Sequence, residues 1–361
     1  MNKTQFNFLL IFCVLLSAES FSQNRKYSFN EVYRVSDSPS LRINSGDGDV
    51  DVYPSEKNEI EVFYIVERNR ELLKVSREDL EEDFTIEISS SNDFLEISVK
   101  QKYQYRLMDW RDRINISFEI YTPFKTSCNI NCSDGDVRVK GLKANQKLRS
   151  SDGDIDASKI TGRVDVRTSD GDIYLNRIVG DVEPITSDGD IKLRTIDGNV
   201  DGRTSDGDVD LLDIKGEVSL VTSDGDLNAE NINGDTRLTT SDGDIRLSQS
   251  QGDMVLNTSD GSISFRDLSG SLKARTSDGQ IKGNMLKLEA DLELRTSDGS
   301  IAVTVPDSMG LDLLLRGETI RTELDNFSGT SRDHIVEGQV NGGGSLVSLH
   351  ASGGSVSLLY E

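Results

Sequence analysis

One motif, Ser-Asp-Gly, followed by an acid in seven of its ten occurrences, returns at near-constant spacing through the middle of this chain, and that spacing limits what the chain can fold into. The Asp of "SDG" falls at 134, 152, 170, 188, 206, 224, 242, 260, 278 and 298. Eight successive gaps are 18 residues and the last is 20. A period of this length is the mark of a repeat architecture. Counting columns from the Thr of "TSDGDI", column 2 is Ser, column 3 Asp and column 4 Gly in every unit. Column 6 is Ile, Val or Leu, and columns 8, 11, 15 and 17 are mostly apolar. Glycine recurs at columns 4 and 13, so each unit reads as two nine-residue halves, "GDIxL" and "GxVxL". Alternation such as Ile191 and Leu193 has period 2 and predicts a strand with one buried face. A glycine before each strand marks a corner.

Short strands with a corner every nine residues can coil. The pattern predicts an all-β, parallel β-solenoid with 18-residue rungs, whose apolar columns stack as internal ladders. Ten rungs at a strand spacing of about 4.8 Å give a stack of roughly 45 to 50 Å. A two-sided rung fits the two halves. A three-sided rung is the alternative, with column 11 on a short third face. Column 1 is Thr eight times, with Cys132 and Ser150 in the other two units, and its parity places it inward. Pro184 and Gly202 in column 17, and Gln146 and Thr236 in column 15, are expected weak points of the ladder.

The segments outside the repeat have different signatures. Lys3 followed by the apolar run Phe8 to Leu16 predicts a signal peptide over residues 1–22, with cleavage after Ser22. Nine apolar residues are too few to span a bilayer, and no second long apolar run follows, so no transmembrane segment is expected. Residues 23–131 form a first rung, read from "SGDGDVDVY", and a capping insertion. Within it "RNRELLKVSREDLEED" reads as a helix over about 68–83, and long strands flank the tip "KYQYRLMDWRDR". Residues 132–301 form the ten-unit array. Residues 302–361 form closing rungs, because "SGGSVSL" from Ser352 is the repeat without its acids. Cys128 and Cys132, four apart in a strand, lie about 13 Å from each other. A disulfide needs about 7 Å or less, so two free core thiols are expected.

The acids raise the question of function. The formal net charge is −23. That argues against nucleic acid as a partner, since binding it needs a basic stripe. It also argues against anionic membrane surfaces. Stacked carboxylates about 4.8 Å apart repel by roughly 0.9 kcal/mol even in bulk water. Two offsets are open. Ser and Asp beside Gly can accept backbone N–H bonds at the corner. Alternatively, calcium could bridge rungs through Asp170, Asp172, Asp188, Asp190, Asp206, Asp208, Asp224 and Asp226, with carboxylates as hard ligands. No other cofactor is indicated. Tyr103, Tyr105 and Trp110 cluster near a hairpin tip, either as a partner-binding tip or packed on the first rung. The mature chain has two histidines, His334 and His350, both beyond the array. A histidine-rich metal site or a Ser-His-Asp triad therefore has no support.

The stacked "GDI" and "GDV" units, the leading "SGDGDVDVY", the "YTPFK" before the array and the ending "VNGGGSLVSLHASGGSVSL" together resemble a bacterial adhesin-like family of β-solenoid domains of unknown function, related to GIN-type adhesin head domains. The resemblance covers most of the mature chain. It implies an envelope or surface protein with no established activity, and no binding residue carries over. The expectation is an exported, non-enzymatic scaffold at the cell envelope or surface, located in the periplasm, on the outer surface or secreted. It would bind a protein or glycan along its flat faces. A calcium-stabilised structural stack and a polysaccharide-active enzyme are the alternatives.

Overall fold

Residues 26–102 and 114–361 are described by the structure, a computed structural model. The signal peptide expected over residues 1–22 lies outside the described residues, as does the aromatic tip of Tyr103, Tyr105 and Trp110. The described chain is a parallel β-solenoid. Its registers repeat at 18 residues: Ile173 pairs with Ile191, Ile191 with Val209, and Val209 with Leu227. Because partners in consecutive rungs hold the same column, apolar side chains stack on their own kind. Ile173, Leu175, Ile191, Leu193, Val209 and Leu211 are all buried.

Each rung has three corners. One is the "SDGD" bend. The second is at column 13, where Gly216 takes φ +146°, a value that disfavours any side chain. The third lies at column 10. Lys159, Arg177, Thr195, Asp213, Asn231, Gln249 and Asp267 all adopt φ between 51° and 60° there. This left-handed residue flips the inward alternation, so columns 6, 8 and 11 all face the core, as at Val209, Leu211 and Ile214. The rung is therefore three-sided. Residue identity at column 10 varies too widely to announce the bend.

The glycine of column 4 answers to packing, since its φ is not among the left-handed ones. A Cβ on Gly207 would lie 1.9 Å from the carbonyl oxygen of Gly189 in the rung below. In column 17, Pro184 has no N–H to give. The ladder there pairs only at Val182↔Val200 and Ile185↔Arg203. Gly202 makes room for Pro184, because a Cβ on it would meet the Pro184 ring at 2.9 Å. Gln146, by contrast, is not a weak point. It is buried, accepts the Cys128 N–H and donates to the carbonyls of Thr126 and Ala144.

At both ends chain order and spatial order differ. The first rung, Ser40–Asn44 with Val50–Ser55, stacks on the array through Ser127–Asn131 and Val137–Lys140. Its other side is covered by Phe94–Gln101 and Ile114–Pro123, which form the outermost rung. At the far end the last rung, Ser345–Ala351 with Ser355–Tyr360, stacks on the array through Leu292–Thr296 and Ile301–Val305. Leu311–Arg316 and Thr319–Thr322 lie outside it. Antiparallel strands then cover much of the exposed edge: Phe84–Ser90, Glu59–Arg68 and Phe29–Arg34 at one end, Ile335–Val340 and Phe327–Arg332 at the other. An uncovered parallel edge would template further strands.

The expected helix over 68–83 shrinks to one turn, Arg77–Leu80. Strand Glu59–Arg68 instead turns through Asn69 and Arg70, both left-handed, and pairs with Glu71–Leu72. Ser76 caps the short helix in a reciprocal capping box with Asp79. Cys128 and Cys132 are free and buried, as their spacing requires. Burial pushes both thiols up, Cys132 to about 12.

Candidate functional site

The corner "TSDGD" is built mainly by side chains in columns 1 and 5. Thr204 shows the pattern. Its hydroxyl donates to the carbonyls of Ser187 and Gly189 in the rung below, each at 3.1 Å. It accepts the N–H of Gly207 in its own rung at 3.2 Å. Thr204 is 2% exposed. One buried hydroxyl thus closes the bend and ties two rungs together. Ser150 does the same in its unit.

The column 5 acids form a second ladder. Asp172 Oδ1 accepts the N–H of Asp190 at 2.9 Å, and Asp190 that of Asp208 at 3.0 Å. Asp208 accepts from Asp226 and Asp226 from Asp244, each at 2.8 Å. Its first acid is Asp49, which accepts from Asp136 and whose own N–H donates to Ser117 Oγ in the outermost rung. It continues past the acids at Ser262, which accepts the Gln280 N–H. An N–H that points along the stack therefore meets a carboxylate from the neighbouring rung. Basic residues neutralise the second oxygen at intervals: Lys192 on Asp190 at 3.0 Å, and Arg246 on Asp226 at 2.8 Å and on Asp244 at 2.7 Å. Burial would push Asp226 up, but the Arg246 hydrogen bond, the Asp244 N–H and the Arg246 charge outweigh it and bring it down. The same device serves column 14, where Asn145, Asp181, Asn199 and Asp235 each accept the next rung's N–H.

Column 3 is different. Asp170, Asp188, Asp206 and Asp224 are exposed, and their carboxylates make no hydrogen bond or ion pair among the described residues. Only their backbone N–H groups are used, as where Asp206 donates to the Ser187 carbonyl at 3.0 Å. The expectation that Ser and Asp beside Gly accept backbone N–H groups at the corner holds for the column 5 acids; for columns 2 and 3 it is corrected, because those side chains face solvent and the inward-facing Thr of column 1 closes the bend instead. The closing rung provides an internal control. Gly353 occupies column 3 there, and its N–H donates to Ser297 at 2.6 Å, as Asp298 donates to Ser277 at 2.8 Å. That rung, which also has Ala351 in place of the column 1 hydroxyl, therefore bends without a column 3 carboxylate.

The eight acids singled out for calcium thus divide into Asp170, Asp188, Asp206 and Asp224, which point outward, and Asp172, Asp190, Asp208 and Asp226, which hold backbone. Among the described residues no group of three or more His, Cys, Asp or Glu side chains converges on a metal-sized site. His334 Nδ1 lies 2.7 Å from the Glu318 carbonyl, and His350 Nε2 lies 3.5 Å from Ser352 Oγ. Neither has a carboxylate partner among the described residues.

Stacked three-cornered rungs with capped ends define a β-solenoid of the repeat type. The chain belongs to the Toastrack DUF4097 family, whose model matches residues 39–209 and 203–358. No curated protein matches it. Among solved structures it is similar to a protein of Clostridium sporogenes provisionally named a cell adhesion protein, at 11% identity and TM-score 0.19, covering 92% of this chain and 99% of that one. A Bacteroides fragilis protein provisionally named an adhesin matches at 12% identity and TM-score 0.25, covering 76% and 96%. A Parabacteroides distasonis protein provisionally named lipid-binding matches at 13% identity and TM-score 0.30, also covering 76% and 96%.

Proposed function

We propose that this protein is an exported, non-enzymatic scaffold of the cell envelope or surface, which holds a protein or glycan partner along its SDG ridge. One observation carries the reading. Ser and Asp recur in columns 2 and 3 of all ten units with their side chains facing solvent, and the corner at Gly353, which keeps Ser352 in column 2, forms without the column 3 acid. What ten repeats keep and the fold does not use is available to a partner. A straight line of carboxylates about 4.8 Å apart suits a partner carrying regularly spaced positive charge. Catalysis finds no support in the same corner, because its groups are repeated down the stack and no single nucleophile, acid or base stands apart from the pattern. Among the described residues no helix is long and apolar enough to cross a membrane.

The test is binding of the purified protein to a glycan array and to envelope extracts of its own cells, with product analysis of every bound glycan. Binding that falls when Asp188, Asp206 and Asp224 are all changed to Ser supports the reading. Binding unaffected by the triple change, or any cleaved product, overturns it. Fractionation of the producing cells checks the location independently, and a cytoplasmic protein would refute it.

A further inference from the structure

All ten array units contain an Asp-Gly bond at columns 3 and 4, and such bonds are chemically fragile. The glycine nitrogen can attack the aspartyl side chain, since no side chain on glycine obstructs it. In nine units that nitrogen is held. Gly153, Gly171, Gly189, Gly207, Gly225, Gly243, Gly261, Gly279 and Gly299 each donate to the column 1 hydroxyl, at 3.1 to 3.3 Å. In the same nine units the column 3 N–H donates to a Ser carbonyl of the rung below, from Asp152 on Ser133 to Asp298 on Ser277. The remaining unit has Cys132 where the others have a hydroxyl. Neither the Gly135 N–H nor the Asp134 N–H makes a hydrogen bond among the described residues. The rung below contributes Gly46 there, whose carbonyl takes only the Ser133 N–H, at 3.1 Å.

We infer that Asp134–Gly135 is a site of covalent modification, at which the chain converts spontaneously to isoaspartate through a succinimide. The Gly135 nitrogen bonds to Cγ of Asp134. The carboxyl hydroxyl leaves with the amide proton as water. Water then adds to one of the two imide carbonyls, and addition at the α-carbonyl leaves the chain running through the Asp134 side chain. The water lost equals the water gained, and nothing is oxidised or reduced. The product has unchanged mass and one extra carbon in its backbone. That extra carbon falls in the first unit of the array, against the rung that carries the N-terminal cap, where Gly135 is packed on Gly48. The column 1 hydroxyl acquires a second role on this view: besides joining rungs, it keeps nine Asp-Gly bonds inert.

The test is extended incubation of the folded full chain at 37 °C and mildly acidic pH, followed by peptide mapping that separates isoaspartyl from aspartyl peptides of equal mass. The same incubation in denaturant is the control in which the ten bonds should react alike. In the folded chain, isoaspartate at Asp134 is expected to exceed that at every other SDG unit several-fold. Cys132→Thr, which installs the residue found in eight units, should bring it down to their level. Cys132→Ser, which installs the residue that Ser150 provides in its own unit, should do the same. Thr204→Ala should raise it at Asp206 alone. An even distribution over the ten units, an absence at Asp134 in the folded chain, or indifference to both Cys132 changes overturns the inference.

Discussion

Replacing Thr204 with Val tests the claim that one buried hydroxyl both closes the bend and couples the rungs. The two side chains have nearly the same shape, so the change removes hydrogen bonds and little else. Two buried backbone groups would lose a partner: the Gly207 N–H, now at 3.2 Å from Oγ1, and the Gly189 carbonyl, now at 3.1 Å. The Ser187 carbonyl would not, since it also takes the N–H groups of Ser205 and Asp206. A buried polar group left without a partner costs about 1 to 3 kcal/mol, so the substitution should cost about 2 to 4 kcal/mol after partial relaxation. Thr204→Ser keeps the bonds and loses one methyl, for about 1 kcal/mol. Asp206→Ser, on the outward side of the same corner, should be neutral or stabilise by up to about 1 kcal/mol, since it removes screened repulsion from Asp188 and Asp224. Urea titration followed by circular dichroism gives the stabilities. Hydrogen exchange at the Gly207 amide isolates the corner, which matters because repeat stacks can unfold in parts. If Thr204→Val costs no more than Thr204→Ser, or if Gly207 exchanges as before, the corner is not held in this way.

Four further outcomes follow from the same geometry. Gly207→Ala should cost more than about 3 kcal/mol, or prevent accumulation of folded protein, because the atom its Cβ would meet at 1.9 Å is a backbone carbonyl oxygen; the urea midpoint and the soluble yield report it. Thr195→Asn should stabilise by up to about 1 kcal/mol, since a β-branched residue sits at φ 57° where Asn is tolerated, and the same titration reads the gain. Asp208→Asn should be nearly neutral and Asp208→Ala should cost about 1 to 2 kcal/mol, because Asn can still accept the Asp226 N–H; with one oxygen of each column 5 acid committed to backbone and the second met at intervals by Lys192 and Arg246, EDTA or added calcium should leave the wild-type melting temperature in place. Burial pushes Asp156 up, and its Oδ1 is buried without a partner. Folding therefore disfavours its charged form above the raised pKa, and the penalty fades as pH falls through it. Asp156→Asn should raise the melting temperature at pH 7 and lose that advantage in acid.

The parts of this fold that could be read from sequence are those that repeat with constant identity. Ile191 and Leu193 announce a buried face, and ten SDG corners announce the coil. The three-sided rung is legible only as an alternative, from column 11, and its bend at column 10 is not, because Lys159, Arg177, Thr195 and Asp213 share a backbone conformation and no chemistry. The short helix escaped for a different reason. The charged run looked helical throughout, yet Ser76 followed by Asp79 is a start signal that places the first turn at Arg77. The intercalated end rungs were closed to sequence reading, since nothing in the apolar alternation of "FLEISVKQ" says which neighbour it will pair with. The roles of the two acid columns were partly legible. An Asx residue stands after glycine and before an apolar strand in both halves of many units, as Asp190 before Ile191 and Asn199 before Val200. That shared position was the signal that column 5 acceptors serve the stack.

The two acid columns of one corner are thus separated by what each carboxylate faces. At column 5 the repulsion between stacked charges, roughly 0.9 kcal/mol per neighbour in bulk water, is opposed by an N–H bond in every rung and by Lys192 and Arg246 at intervals. Where the acid is absent, Ser262 still accepts, so the position asks for an acceptor and charge is incidental. At column 3 the same repulsion has no opposing contact within the described residues, and Gly353 shows that the bend does not require the acid. On the proposed function, a charge that the corner can omit is what a partner along the ridge would offset. The column 3 ridge, rather than the column 5 ladder, is therefore the surface on which a partner should be sought.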